Sequence, residues 1–226
     1  MDKINVLDHG YVSLVGYWGS EEHIIEAARM STGKGFLSWD TDQKLLEYLY
    51  KNKHSTPFEM AGVTIEVSAP IFIFREWHRH RTQSYNEMSG RYTPLPNVNY
   101  LPEFARIMAG MQQTANKQAQ GNGRIALSDE VGNWLGALEG IYDRIQELYA
   151  LGLEIGIPKE LARLPIPVAR YSRMRASANL RNWLGFLTLR DSPNAQWEMQ
   201  EYAKAVGQII SEKFPRTYKL YQSEQA

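Results

Sequence analysis

The densest run of chemically competent side chains is Arg79-His80-Arg81-Thr82-Gln83-Ser84-Tyr85-Asn86-Glu87-Met88-Ser89-Gly90-Arg91-Tyr92. It combines three arginines with hydroxyl and amide groups, one carboxylate, and a glycine that lets backbone approach a ligand. Such a set suits phosphates and a hydrogen-bonding heterocycle. Just upstream lies Arg75, and only Glu76 and Glu87 oppose this cationic group. A second group, Arg163, Arg170, Arg173, Arg175, Arg181 and Arg190, spans a stretch without a single Asp or Glu. Neither group contains lysine. Arginine's planar fork binds phosphate and planar heterocycles through paired N–H groups, so the choice is informative. Any one of these arginines is as readily explained by a carboxylate elsewhere in the fold. For two groups together that explanation is weaker.

The same residues admit other chemistries. His78-x-His80 has the spacing of strand-borne metal ligands, but Arg75, Arg79 and Arg81 would repel a divalent cation and ligand carboxylates are scarce. No metal is expected. A phosphate-ester hydrolase would use the same two histidines. An arginine-rich nucleic-acid-binding module would stack bases on Tyr85, Tyr92, Tyr171 and Trp183, but zero net charge and lysine-free clusters weigh against it. The chain has no cysteine, which removes disulfides, thiolate metal sites and every cysteine-nucleophile mechanism together.

The elements that must position these residues follow from periodicity. Short strands are expected over residues 4–7 and 11–15. A helix over 20–30 has Ser20 as cap, Glu21 and Glu22 in its first turn, and Ile24, Ile25 and Ala28 inward. Asp40 or Thr41 starts another, with Leu45, Leu46 and Leu49 on one face. Thr56-Pro57-Phe58-Glu59 reads as a capping box with proline at the first helical position. Val63, Ile65 and Val67 alternate with polar residues, the period of a half-buried strand. Pro70 opens an apolar run to Trp77, a helix that carries the Arg/His cluster at its end. Residues 109–127, rich in Gln, Asn and Gly, read as a flexible loop or insertion. From Ser128 the positions Val131, Trp134/Leu135, Leu138, Ile141/Tyr142, Ile145 and Leu148/Tyr149 form the inward face of a long amphipathic helix. Pro158 begins a short helix that Pro165 and Pro167 end. Residues 171–178 read as a strand, Asn179 caps a helix with Leu180, Trp183, Leu184 and Leu187 inward, and Ser192-Pro193 starts the last long one.

The expected fold is therefore α/β of the α+β kind: helix-rich, around a small mixed or antiparallel sheet, with residues 1–226 as one domain. Hydrophobic residues make up 43%, enough for a substantial core. No apolar stretch reaches the roughly 18 residues of a membrane helix, and the N-terminus lacks a secretory pattern. A soluble, cytoplasmic protein is expected, without nucleic-acid or membrane partners.

The 79–92 run resembles the R-H-R-x-x-S-x-N-E-x-S-x-R-Y signature of flavin-dependent thymidylate synthases. Upstream, His54-Ser55-Thr56-Pro57-Phe58-Glu59 is similar to the family's H-x-T-P-F-E segment. Downstream, Asn179-Leu180-Arg181, Leu187-Thr188-Leu189-Arg190 and Ala195-Gln196-Trp197-Glu198 resemble its C-terminal half. The resemblance implies an FAD enzyme that methylates dUMP to dTMP. NADPH would be the reductant and 5,10-methylenetetrahydrofolate the carbon donor. It further implies a homotetramer with each FAD site at a subunit interface. By the same likeness Arg190 is the catalytic residue, facing the uracil and favouring its N3-ionised form. Glu76, Trp77, His78, Arg79, Glu87, Met88, Ser89, Gly90, Arg91, Arg163 and Arg190 match dUMP-binding positions, with Arg79, Arg91 and Arg163 as partners for phosphate. Thr56, Arg79, His80, Arg81, Glu87, Asn179, Leu180 and Arg181 match FAD contacts, and His54 a histidine near flavin and folate. Two positions depart from the pattern. Gly185 stands where members commonly carry Asn or His as a flavin contact, so cofactor affinity is expected to be lower. Glu76 stands where a neutral Gln is common. The absence of cysteine agrees independently, because C5 of the uracil must then be activated without a thiolate. A cation beside the ring edge does this by the physics of an oxyanion hole, and arginine, with a pKa above about 12, acts there as a charge and not as a base.

Overall fold

The computed structural model describes residues 3–112 and 125–225. Five strands form an antiparallel sheet: β1 (Ile4–Val6), β2 (Gly10–Trp18), β3 (Gly62–Pro70), β4 (Ser84–Glu87) and β5 (Tyr171–Asn179). Their order is β1-β2-β3-β5-β4. The two nine-residue strands β3 and β5 pair along their whole length, from Gly62↔Asn179 to Pro70↔Tyr171. Alternation decides what each face does. Val63, Ile65, Val67, Met174 and Ala176 are buried and belong to the core. Thr64, Glu66, Arg173, Arg175 and Ser177 point the other way. There Thr64 and Ser177 share a hydrogen bond of 2.8 Å, and Tyr11 donates to Glu66 at 2.8 Å.

Helices cover the apolar face. Among them α7 (Leu180–Arg190) packs on β3 and β5, while α8 (Trp197–Lys213) packs on β1, β2 and α3 (Ile71–Trp77). Helices α1 (Glu21–Arg29), α2 (Trp39–Lys51) and α9 (Pro215–Gln225) close the edge. Where they meet, Trp77 packs 4.7 Å from Phe186, and Trp183 sits 5.6 Å from Phe186. These three side chains are fully buried. The mixed α/β architecture expected from periodicity is the one observed, and its sheet is antiparallel throughout.

Several local expectations are corrected. Thr56–Met60 forms a 3-10 turn without a side-chain cap, and Glu59 pairs with Arg181 instead of closing a capping box. The reason is length, since β3 begins at Gly62 and leaves no room for a helix. The last long helix begins at Trp197, not Ser192, and Pro215 restarts it as α9. Helix α4 (Phe104–Gln112) and strand β4 were not anticipated. Residues 109–112 of the expected insertion close α4 and 125–127 lead into α5 (Ser128–Glu154); the rest of it lies outside the described residues. In α5 the apolar face divides. Val131 and Tyr149 are buried, whereas Trp134, Ile141 and Leu148 are each more than half exposed. Among the described helices and strands, α4 and α6 (Lys159–Ala162) make the most contact with this helix.

Candidate active site

Helix α3 ends at Trp77, just before the signature run, and the chain then turns back on itself to form β4. Backbone bonds from His78 to Phe74, His80 to Trp77 and Gln83 to His80 close successive turns. Tyr85, at the start of β4, donates its hydroxyl to the carbonyls of Trp77 (3.1 Å) and His80 (2.7 Å). Trp77 is fully buried and donates Nε1–H to Gln83 at 3.0 Å. The side chain of Trp77 thus supports the site from behind. Leu180 is likewise fully buried, with its N–H donated to Ala61, so it too serves the core. His78 turns toward Met174, with Nε2 3.2 Å from its sulfur, while His80 faces Arg190. The two rings of His78-x-His80 therefore serve different partners.

Arg190, at the C-terminal end of α7, meets the end of α3 across more than a hundred residues of sequence. Its Nε–H donates to His80 Nε2 at 2.9 Å, and its terminal nitrogens donate to the Glu76 carboxylate at 3.0 Å and the Glu76 carbonyl at 3.2 Å. Burial, and then the Arg190 charge, push His80 down to about 4. At neutral pH His80 is therefore an uncharged acceptor for Arg190. Burial raises the Glu76 carboxyl, and Glu198 raises it further, while Arg190 holds it down.

A second cluster lies beyond the other end of β4. Gly90 packs on Arg163: a Cβ there would sit 3.3 Å from the Arg163 side chain. Arg91 pairs with Glu160 at 3.0 Å, both about half exposed, and the Ser89 hydroxyl accepts from the Arg91 N–H. Met88 N–H donates to the Arg173 carbonyl at 2.8 Å, tying this loop to the edge of β5. Glu87 and Met88 line a hollow with Glu66, Asn86, Arg173 and Arg175. Arg173 and Arg175 were not singled out as site residues by sequence; strand alternation in β5 was the available signal. Among the described residues no hydrogen bond or ion pair joins the Arg190 cluster to the Arg91/Arg163 cluster. Strand β4, roughly 13 Å long at about 3.3 Å per residue, lies in the chain between His80 and Gly90.

A third group surrounds a cavity lined by Leu49, Tyr50, Lys53, His54, Ser55, Phe58, Arg181, Leu184, Gly185, Thr188 and Glu224. Thr56 lies in the adjoining cleft, which His54 and Ser55 share. Asn179 spends its side-chain oxygen on the Asn182 N–H, at 3.0 Å, as the cap of α7. A Cβ at Gly185 would meet nothing within 4 Å, although the residue lies in mid-helix. Glycine there loses about 1 kcal/mol of helix stability relative to alanine, and the space it leaves opens into this cavity. Arg79 and Arg81 are exposed in the turn before β4. Glu224 was not foreseen, because α9 brings it here from far along the sequence; Tyr50 and Lys53 reach the cavity from the end of α2, next to His54. The Ala195–Glu198 segment plays a structural part: Glu198 is buried and accepts from Tyr100 (3.1 Å) and Arg106 (2.8 Å). No described helix is long and apolar enough to cross a membrane.

The family profile described as "Thymidylate synthase complementing protein" matches residues 13–216. The flavin-dependent thymidylate synthase of Pseudothermotoga lettingae is 37% identical over 96% of this chain and 92% of its own. That of Thermus thermophilus is 39% identical over 97% and 78%. Among solved structures, a UMP/dUMP methylase, PolB, from Streptomyces cacaoi bound with 5-Br dUMP is similar. Its TM-score is 0.85 at 28% identity, over 97% of both chains. The same methylase bound with 5-Br UMP gives 0.82 at 30% identity. With His80 of the signature bonded to Arg190 and with relatives matched over nearly the whole chain, the protein is an enzyme that belongs to the flavin-dependent thymidylate synthase family.

Proposed function

We propose that this chain methylates C5 of dUMP to form dTMP, with FAD as its flavin, 5,10-methylenetetrahydrofolate as carbon donor and NADPH as reductant. The observation that carries this reading is Arg190: a guanidinium fixed by Glu76 and His80 in a protein that has no cysteine to activate the ring. Held on three sides, it is preorganised to stabilise negative charge as the charge develops, which is where electrostatic catalysis is strongest.

FAD fits the residues present. The cavity beside Gly185 has Tyr50 and Phe58 for a planar ring and carries His54, Arg181 and Thr188 for polar atoms. The same cofactor would be held by Thr56, Arg79, His80, Arg81, Glu87 and the Asn179–Arg181 segment. When bound it supplies the hydride that completes the methyl group. On the substrate side, Arg91 and Arg163 take the phosphate, and Ser89 donates to the nucleotide.

A complete site requires a second copy of the chain. Among the described residues no hydrogen bond or ion pair joins Arg91 and Arg163, assigned to phosphate, to Arg190, assigned to uracil. The apolar residues Trp134, Ile141 and Leu148 stand exposed on α5, a surface suited to self-association. A homotetramer with shared sites accounts for both features.

The test is spectroscopic and chemical. The purified protein should show a flavin absorbance that bleaches with NADPH. Mixing the bleached protein with dUMP should then give dTMP only when methylenetetrahydrofolate is present. A colourless protein that stays inactive after FAD is added would refute the reading.

A further inference from the structure

A guanidinium carries five N–H groups. Among the described residues Arg190 commits three of them, to His80 Nε2, Glu76 Oε2 and the Glu76 carbonyl, leaving one N–H on each terminal nitrogen. On the carboxylate, Oε2 accepts from Arg190 and Oε1 has no hydrogen-bond partner among the described residues. Both side chains remain partly open, 20% for Arg190 and 28% for Glu76. One ion pair thus presents two uncommitted donors and one uncommitted acceptor oxygen.

The pairing creates an electrostatic conflict. A uracil that ionises beside Arg190 would meet a neutral pair, not a bare cation, and the Glu76 carboxylate would repel the new anion. The conflict disappears if the carboxylate takes the proton. We propose that Glu76 is the general base that removes the N3 proton of the uracil ring, with Arg190 as the cation common to both states. The N3–H bond breaks, its electron pair stays on N3, and an O–H bond forms on the carboxylate. Beforehand the charges are +1 on Arg190, −1 on Glu76 and zero on the ring; afterwards they are +1, zero and −1. The sum is unchanged, so no net charge is created in a half-buried site. Once C5 carries the methyl group, the proton returns to N3. The neutral glutamine common at this position cannot accept a proton in this way.

The surroundings favour the transfer. Burial raises the Glu76 carboxyl toward the range of the weakly acidic N3–H. The groups bearing on it are Arg190 from α7, Glu198 from α8, and His80 from the turn after its own helix. His80, pushed down to about 4, is occupied as an acceptor for Arg190 and does not compete for the proton.

The inference rests on the placement of uracil at Arg190, and the experiment separates the two. Single-turnover dTMP formation from the reduced holoenzyme is followed between about pH 6 and pH 10 for wild type, Glu76→Gln and Arg190→Ala. Glu76→Gln should keep flavin absorbance and dUMP affinity but react on the order of 10²-fold more slowly near neutral pH. Its rate should climb with pH toward that of wild type as N3 ionises unaided. Wild type should slow only in acid, as Glu76 is protonated. A Glu76→Gln enzyme with the wild-type rate and profile overturns the proposal. So does one that is slow by a constant factor at every pH, since that marks a residue which only orients Arg190. If Glu76→Gln loses flavin or fold, Glu76→Asp decides: its acid limb must persist, and a pH-independent rate refutes the base. Should Arg190→Ala also react at the wild-type rate, the placement of uracil itself is wrong. If Arg190→Ala is slow while Glu76→Gln is unimpaired, only the role of Glu76 falls.

Discussion

At the scale of single residues, the site is a set of arginines in different electrostatic circumstances. Arg190 is enclosed and triply held, whereas Arg91 is exposed and paired with Glu160, an exchange-ready partner of small energetic weight. Arg91 can therefore trade Glu160 for a phosphate at little cost. Arg91→Ala should weaken dUMP binding by roughly 1.5–3 kcal/mol, the worth of a charge-assisted hydrogen bond, yet leave deoxyuridine binding unchanged in titrations of both proteins. Equal dUMP affinity in variant and wild type would remove Arg91 from the phosphate site. Arg190→Ala should fold, bind FAD and accept hydride from NADPH, but lose on the order of 10²–10³ in the single-turnover rate of dTMP formation. Arg190→Lys should restore only part of that loss, because an ammonium cannot present the two parallel donors left on the guanidinium. Flavin bleaching by NADPH that slowed in step with dTMP formation would assign Arg190 to the reductive half-reaction instead.

At the scale of elements, α3 and β4 form one unit sewn together by Tyr85 and backed by Trp77 against Phe186. His80 belongs to this unit and must be neutral to accept from Arg190. Its folded pKa, about 4, lies below the ordinary value of 6.5, so the unfolded chain binds more protons between those limits. Stability contributed by neutral His80 is thus fully present above about pH 6.5 and is lost as pH falls toward 4. Thermal melts across that window should decline more steeply for wild type than for His80→Gln; parallel curves would mean that His80 is not the group responsible. Helix α7 carries the second elemental feature, the open position at Gly185. Gly185→Asn should tighten FAD or leave it unchanged in equilibrium titration, since its side chain enters empty space. A severalfold weaker affinity in a folded variant would show that the glycine serves close backbone approach.

At the scale of the whole molecule, the separation of the two arginine clusters makes a prediction about assembly. At dUMP concentrations too low to saturate the Arg91→Ala enzyme, Arg190→Ala and Arg91→Ala homomers should each show little activity. Unfolded together and reassembled, they should regain activity, because a site shared by two chains can draw Arg190 from one and Arg91 from the other. Random mixing of two chains leaves about one site in four intact. No recovery in hybrids confirmed by size and composition would place both clusters' functions within one chain. The exposed α5 residues belong to the same question, and Trp134→Asp should shift the sedimentation profile toward smaller species.

The sequence by itself determined the parts whose information is local. Alternation in β3 and β5, the Asn179 cap of α7 and the apolar run of α3 were all legible, because period and capping act over a few residues. The signature residues were legible too, as a density of side chains with a shared chemistry. Strand β4 was not, since a polar edge strand of four residues is defined by its partner β5 and not by its own pattern. The direction of each signature side chain was equally hidden: Trp77 turned to the core, His78 to Met174, and His80 to Arg190. Only the tertiary structure set Glu76 on Arg190, 114 residues apart, and brought Glu224 beside His54. Such contacts follow from how α7 packs on the sheet and α9 on α2 and α8, a balance of burial over the whole chain that no window of sequence contains.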